Sequence, residues 1–145
     1  MKVGLLLALI IAVTGQVLYH VTQKNVAAGA HPIISLVVFY LVAAIATLPL
    51  FWLFPVTGTF ADEIEKLNWA VVGVAISIVL IEIGFLLAYR AGGELSTAFV
   101  TTAAVVAISM LLIGAVFFEE SFSMTKVGGV LLCLAGIGLI SLKTA

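Results

Sequence analysis

The chain has 145 residues, 64% of them hydrophobic and 9% charged, with a formal net charge of −1. A soluble domain carries roughly 25% charged residues to cover its core with polar surface, so a mean hydropathy of +1.37 excludes that class. Six basic against seven acidic side chains leave no basic patch for nucleic acid.

Five apolar runs are long enough to cross a bilayer, which takes about 20 helical residues. They cover 3–22, 33–54, 69–89, 95–118 and 124–142. In hydrocarbon every backbone N–H and C=O must be bonded within its own segment, so these runs are expected to be helices. None shows the polar–apolar alternation of barrel strands. The expected fold class is an all-α membrane protein, a single domain over 1–145 with five transmembrane helices.

The first run follows Met1 and Lys2 and resembles a signal peptide at its start. Its apolar stretch continues to Thr22, and no translocated domain follows, so a helix of the mature protein is expected. Gln16, Tyr19, His20 and Gln23 fall at i, i+3, i+4 and i+7 and form one polar stripe. Gly4, Ala8 and Ala12 continue that face with small residues that permit close helix approach. The stripe reads either as a cavity wall that contacts substrate or as a hydrogen-bonded seam between helices. The second reading is favoured for His20 and Gln23, which lie close to the head groups.

Lys24 and Asn25, then Gly29, Ala30, His31 and Pro32, separate the first two runs. Proline at a helix start loses no hydrogen bond, and His31 belongs to that helix start. The second run ends at Pro55, Val56, Thr57 and Gly58. Positions 61–67, with Asp62, Glu63, Glu65 and Lys66, fit a short interfacial helix leading to Trp69. Trp52 and Trp69 both lie near span ends, where tryptophan favours the membrane–water interface.

The third run holds the most informative residue, Glu82, about 5 Å past the middle of the span at 1.5 Å per residue. A carboxylate there is expected to face a bundle interior or a watery cavity. Burial favours the neutral acid, which lets the group take up and release a proton near neutral pH. Proton carrier, counter-ion for a cationic substrate, or both in competition are the functional readings. A protonated acid hydrogen-bonded to a neighbouring helix is the structural one. Ile78, Phe85 and Tyr89 share its side of the helix.

The loops at 90–94 and 119–123 are short, so spans three to five are expected to be antiparallel neighbours. Span four carries Thr97, Thr101, Thr102 and Ser109. Such hydroxyls usually bond back to the i−4 carbonyl or link helices. Thr102 and Ser109 share a face and are candidates to line a cavity. Span five has Gly128, Gly129, Gly136 and Gly138 and no polar side chain between Lys126 and Ser141. It reads as a packing or dimer helix, with Lys126 snorkelling to the interface. Cys133 is the sole cysteine, so it makes no intramolecular disulfide and no metal site. It reads as a small packing residue, and no cofactor is expected.

Five spans place Lys2, Lys66 and Lys126 on one side and Lys24, Arg90 and Lys143 on the other. Orientation follows the excess of lysine and arginine, and here the excess is zero. Two readings are open: a short chain with a small bias, or dual topology, with copies inserted in opposite senses. Asp62, Glu63, Glu65, Glu119 and Glu120 lie on one side and add a weak bias.

One stretch suggests a family. It runs from Ala88, Tyr89 and Arg90 through Ser96, Thr97 and Ala98. It includes Phe117, Phe118, Glu119 and Glu120, then Phe122 and Ser123, and leads to Gly129, Leu132 and Gly136. This stretch resembles the C-terminal half of the EamA-type repeat of the drug/metabolite transporter superfamily. That repeat ends its fourth helix with a Gly-Glu pair, where this chain has Glu119 and Glu120. The proline common in its fourth helix is missing around Val105 and Val106.

The resemblance implies half of an inverted-repeat transporter bundle, which a single repeat rebuilds by dimerising around a midplane site. It implies a secondary transporter of small organic metabolites or cations across the cell inner (cytoplasmic) membrane. That transporter would act as a homodimer, antiparallel to match the balanced charges, and be proton-coupled through Glu82. The other candidate site residues are Gln16, Tyr19, His20, Tyr89 and Thr102. Expected partners are the lipid bilayer, a second copy of the chain and a small-molecule substrate. The alternative is a non-transporting membrane subunit that anchors or stabilises a partner. An enzyme is not expected, because no catalytic constellation lies within the spans. A phosphate-binding Gly-Lys loop is also missing, which excludes ATP-driven transport by this chain alone.

Overall fold

The computed structural model describes residues 3–119 and 123–142. Lys2, Glu120, Phe122 and Lys143, which entered the charge count and the resemblance, lie outside the described residues. The chain forms α1 (Val3–Lys24), α2 (Pro32–Thr47), a 3₁₀ segment (Leu48–Trp52), α3 (Phe60–Glu65), α4 (Trp69–Arg90), α5 (Leu95–Phe117) and α6 (Met124–Leu142).

Among the described residues four stretches are long and apolar enough to cross a membrane: Val3–Lys24, Pro32–Trp52, Trp69–Arg90 and Leu95–Phe117. A fifth, Met124–Leu139, is a shorter apolar helix. The protein is therefore a multi-pass, all-helical membrane protein. Its burial pattern agrees with that solvent. In α1 the buried residues are the polar His20 and Gln23, while Leu5, Ile11, Val17 and Leu18 are exposed. Aliphatic side chains outside and polar ones inside suit a chain dissolved in hydrocarbon, where the apolar surface has nothing to escape.

The helix boundaries have local causes. Pro32 opens α2 at a position whose N–H would have no partner. The second span does not stay α-helical to its end. Pro49 offers no N–H and clashes with the preceding turn, so the helix tightens into 3₁₀ geometry from Leu48. At α4 the Asn68 Oδ1 accepts from the Ala70 N–H at 2.9 Å, an N-cap for a helix that starts at Trp69. Ser123 Oγ does the same for the Lys126 N–H at 3.2 Å, which starts α6. The short α3 is held by a capping box in which Thr59 and Asp62 bond each other's backbone N–H. Beyond α3, Lys66 pairs with Glu63 at 2.6 Å.

The fold divides into two compact units. One comprises α1, α5 and α6, with α5 packed against both of the others. Here Lys24 Nζ donates to the Gly93 carbonyl at 3.4 Å. Glycine is needed next to that carbonyl, because Gly92 has φ +91°, outside the range of side-chain-bearing residues. The other unit runs Asn25–Arg90 and packs α2 against α4. The buried residues of α2, Ser35 and Leu36, lie in its first turns. Those of α4, Leu86 and Tyr89, lie in its last, as an antiparallel pair requires. At that end Arg90 reaches the Ala27 carbonyl at 3.4 Å. Trp52 and Trp69, at the span ends Pro32–Trp52 and Trp69–Arg90, are 90% and 83% exposed.

Candidate functional site

The candidate residues fall on both units: Gln16, Tyr19, His20 and Thr102 on the first, Glu82 and Tyr89 on the second. In the first unit the polar stripe of α1 is graded. Gln16 is exposed, Tyr19 is half-buried, and His20 and Gln23 are buried. His20 is sandwiched by aromatic rings. Tyr19 lies edge-on to it, with centroids 4.8 Å apart, and Phe99 of α5 is tilted against it at 4.7 Å. This is the geometry of a helix–helix seam, and it joins α1 to α5 at the level of His20.

Thr102 stands on α5, where its hydroxyl donates to the Ala98 and Phe99 carbonyls at 2.9 and 3.0 Å. Ser109 bonds back to Val105 at 2.9 Å. Both hydroxyls are thus satisfied by their own helix. The expected small-residue face of α1 meets no neighbour at Gly4, and Ala8 and Ala12 are exposed.

Between α5 and α6 runs an open groove of about 570 Å³, lined by Ala107, Met110, Leu111, Gly114, Val130 and Cys133. Lys126 is the charged residue of the lining among the described residues. Cys133 is exposed, so the packing expected of it is not supplied by its own chain.

The second unit carries Glu82. The side chain is half-buried, and its Oε2 is shielded from solvent. One and two turns further along α4 stand Phe85 and Tyr89, whose rings stack with centroids 5.9 Å apart and planes 29° from parallel. Tyr89 is buried. The stacking realises the shared side of Phe85 and Tyr89, and within this unit α2 is the helix packed against α4. Ile78, one turn before Glu82, is exposed.

Sequence reasoning missed Tyr40. It sits on α2, is half-buried, has its Oη shielded from solvent, and interacts electrostatically with Glu82. A signal was present. Tyr40 comes eight residues after the start of α2 at Pro32, and Glu82 comes eight before the end of α4 at Arg90. In an antiparallel pair those two positions lie at the same depth, about 12 Å from the shared end at 1.5 Å per residue.

The arrangement can hold and release a proton on a carboxyl group inside a span, beside a phenol and two stacked aromatic rings. Among the described residues no group of three or more His, Cys, Asp and Glu side chains could hold a metal ion. No family model matches the chain, and neither a curated protein nor a solved structure matches it.

Proposed function

We propose that the chain is a secondary transporter of small organic metabolites or cations, proton-coupled through Glu82. The observation that carries this reading is Glu82 itself, a half-buried carboxyl group within the apolar, span-length α4, in the unit where α4 packs against α2. An ionisable group at that depth is retained against a substantial insertion cost, and reversible protonation is the chemistry it offers. The resemblance of 88–136 to the EamA-type repeat supports the same reading. In it α6 is the fifth span, and two copies in opposite orientation form the inverted-repeat bundle. The balance of lysine and arginine between the two sides supports that pairing.

The test uses the full chain in proteoliposomes with an imposed pH gradient and a panel of labelled amino acids and organic cations. Glu82→Gln is expected to abolish proton-driven uptake while expression stays near wild type. Equal uptake by the two proteins would overturn the coupling role, and loss of the folded protein would assign Glu82 a structural one. A reporter fused after Ala145 is expected to appear on both sides of the membrane. Signal on one side alone would remove the antiparallel homodimer.

A further inference from the structure

The α2–α4 pair places two polar groups, Tyr40 and Glu82, at one depth within the spans. Tyr40 is the sole titratable side chain of α2, whose sequence from Pro32 to Thr47 holds no acid, base or histidine. On α4 the titratable groups are Glu82, Tyr89 and Arg90. Tyr89 stands two turns beyond Glu82 with its ring stacked on Phe85, and Arg90 is turned to the Ala27 carbonyl. Within this unit α2 is the helix packed against α4, so Tyr40 is the titratable group that faces Glu82 from the neighbouring helix.

The Tyr40 Oη is shielded from solvent and makes no hydrogen bond among the described residues. A buried hydroxyl without an acceptor is costly, and it is kept where an acceptor is needed in another state. A neutral acid needs no donor from Tyr40, whereas a carboxylate at this depth needs one badly. We infer that the Tyr40 hydroxyl is the donor that receives Glu82 when the carboxyl loses its proton, which makes Tyr40 a positioning residue for proton release. The proton leaves to water, and the O–H of Tyr40 turns onto the carboxylate oxygen without giving up its own proton. This inference rests on the proton-coupled reading of Glu82 and deepens it. It explains how a carboxylate is tolerated in the span between release and reprotonation.

The experiment reads the carboxyl C=O stretch of Glu82 by infrared spectroscopy against pH, with the full chain reconstituted in bilayers. The band is identified by its loss in Glu82→Gln. Tyr40→Phe keeps the ring and removes the donor, so it should weaken the ionised form. The midpoint is expected to rise by about one pH unit, a tenfold tighter hold on the proton. Site-specific 3-fluorotyrosine at position 40, a stronger donor of nearly the same size, is expected to move the midpoint the other way. It also keeps the test open if the phenylalanine variant folds poorly. Identical midpoints in wild type and both variants would overturn the role of Tyr40 and leave proton coupling standing. A Glu82 band that stays protonated to pH 9 in wild type would overturn proton coupling itself, and the role of Tyr40 with it.

Discussion

The imidazole of His20 lies against the ring of Phe99, centroids 4.7 Å apart and planes tilted by 59°. His20 is 5% exposed, so this contact is an interior one, where an aromatic pair adds about 0.5–1.5 kcal/mol beyond its area. Phe99→Ala should remove the ring from α5 and loosen α1 from it. We expect a loss of about 2–4 kcal/mol of stability, read as a lower unfolding midpoint in detergent, with Phe99→Leu retaining most of it. An unchanged midpoint for Phe99→Ala would show that the seam does not hold α1 to α5.

Glu119 has φ +51° just after Phe118, which caps α5. That left-handed position is the one glycine favours at a helix C-terminus. This chain makes that backbone bend with a side chain that resists it. Glu119→Gly should therefore stabilise the protein, by about 1 kcal/mol. Thermal unfolding of the two proteins side by side checks it, and a destabilised variant would mean that the carboxylate makes a contact worth more than the strain.

At α3 the Thr59 hydroxyl, and secondarily the Thr59 N–H, hold the Asp62 carboxyl below its ordinary range. A lowered folded value means the box adds stability above the usual aspartate pKa and loses it as pH falls through the lowered one. Thr59→Val removes the larger cause. Followed by carboxyl NMR in micelles, the Asp62 midpoint is expected to move up toward the ordinary value. A midpoint that stays low in Thr59→Val would assign the shift to the backbone bond alone.

Apart from the backbone of its own helix turns, a Cβ built on Gly128, Gly129, Gly136 or Gly138 meets no described atom within 4 Å. Gly136→Ala and Gly138→Ala should accordingly leave the protomer intact and gain up to about 1 kcal/mol each in helix propensity. If α6 is the dimer helix, Gly136→Leu with Gly138→Leu blocks close approach between copies and yields monomers in cross-linking. Dimers that survive the double change would place the contact elsewhere.

Much of this architecture can be read from the residues alone, and the reasons differ by element. The start of α4 at Trp69 follows from an asparagine cap and an interfacial tryptophan, both local signals. The stripe on α1 was legible because polar residues at helical spacing stand out against aliphatic ones. Its gradation from exposed Gln16 to buried Gln23 was not, because burial depends on which helices come close. Thr102 was legible as a hydroxyl on a helix face, and its bond to the Ala98 carbonyl is the i−4 back-bond that such a hydroxyl usually makes. Tyr40 was missed for a related reason. In a helix that is apolar all round, no periodicity marks the packed face, and the shared depth of Tyr40 and Glu82 emerges only once α2 and α4 are known to be antiparallel. Pro49 was a local signal left unread, as were the caps Thr59, Asn68 and Ser123, and it moves the end of the second α-helix back to Thr47.

That same proline sets a length. A 3₁₀ segment rises about 2.0 Å per residue against 1.5 Å in an α-helix, so Pro32–Trp52 reaches about 34 Å across a hydrocarbon core of about 30 Å. A span longer than its membrane must lean or thicken the lipid around it, at a fraction of a kcal/mol per Å. Pro49 thereby brings this 21-residue span to within about 1 Å of the rise of the 22-residue α1 and α4, about 33 Å at 1.5 Å per residue.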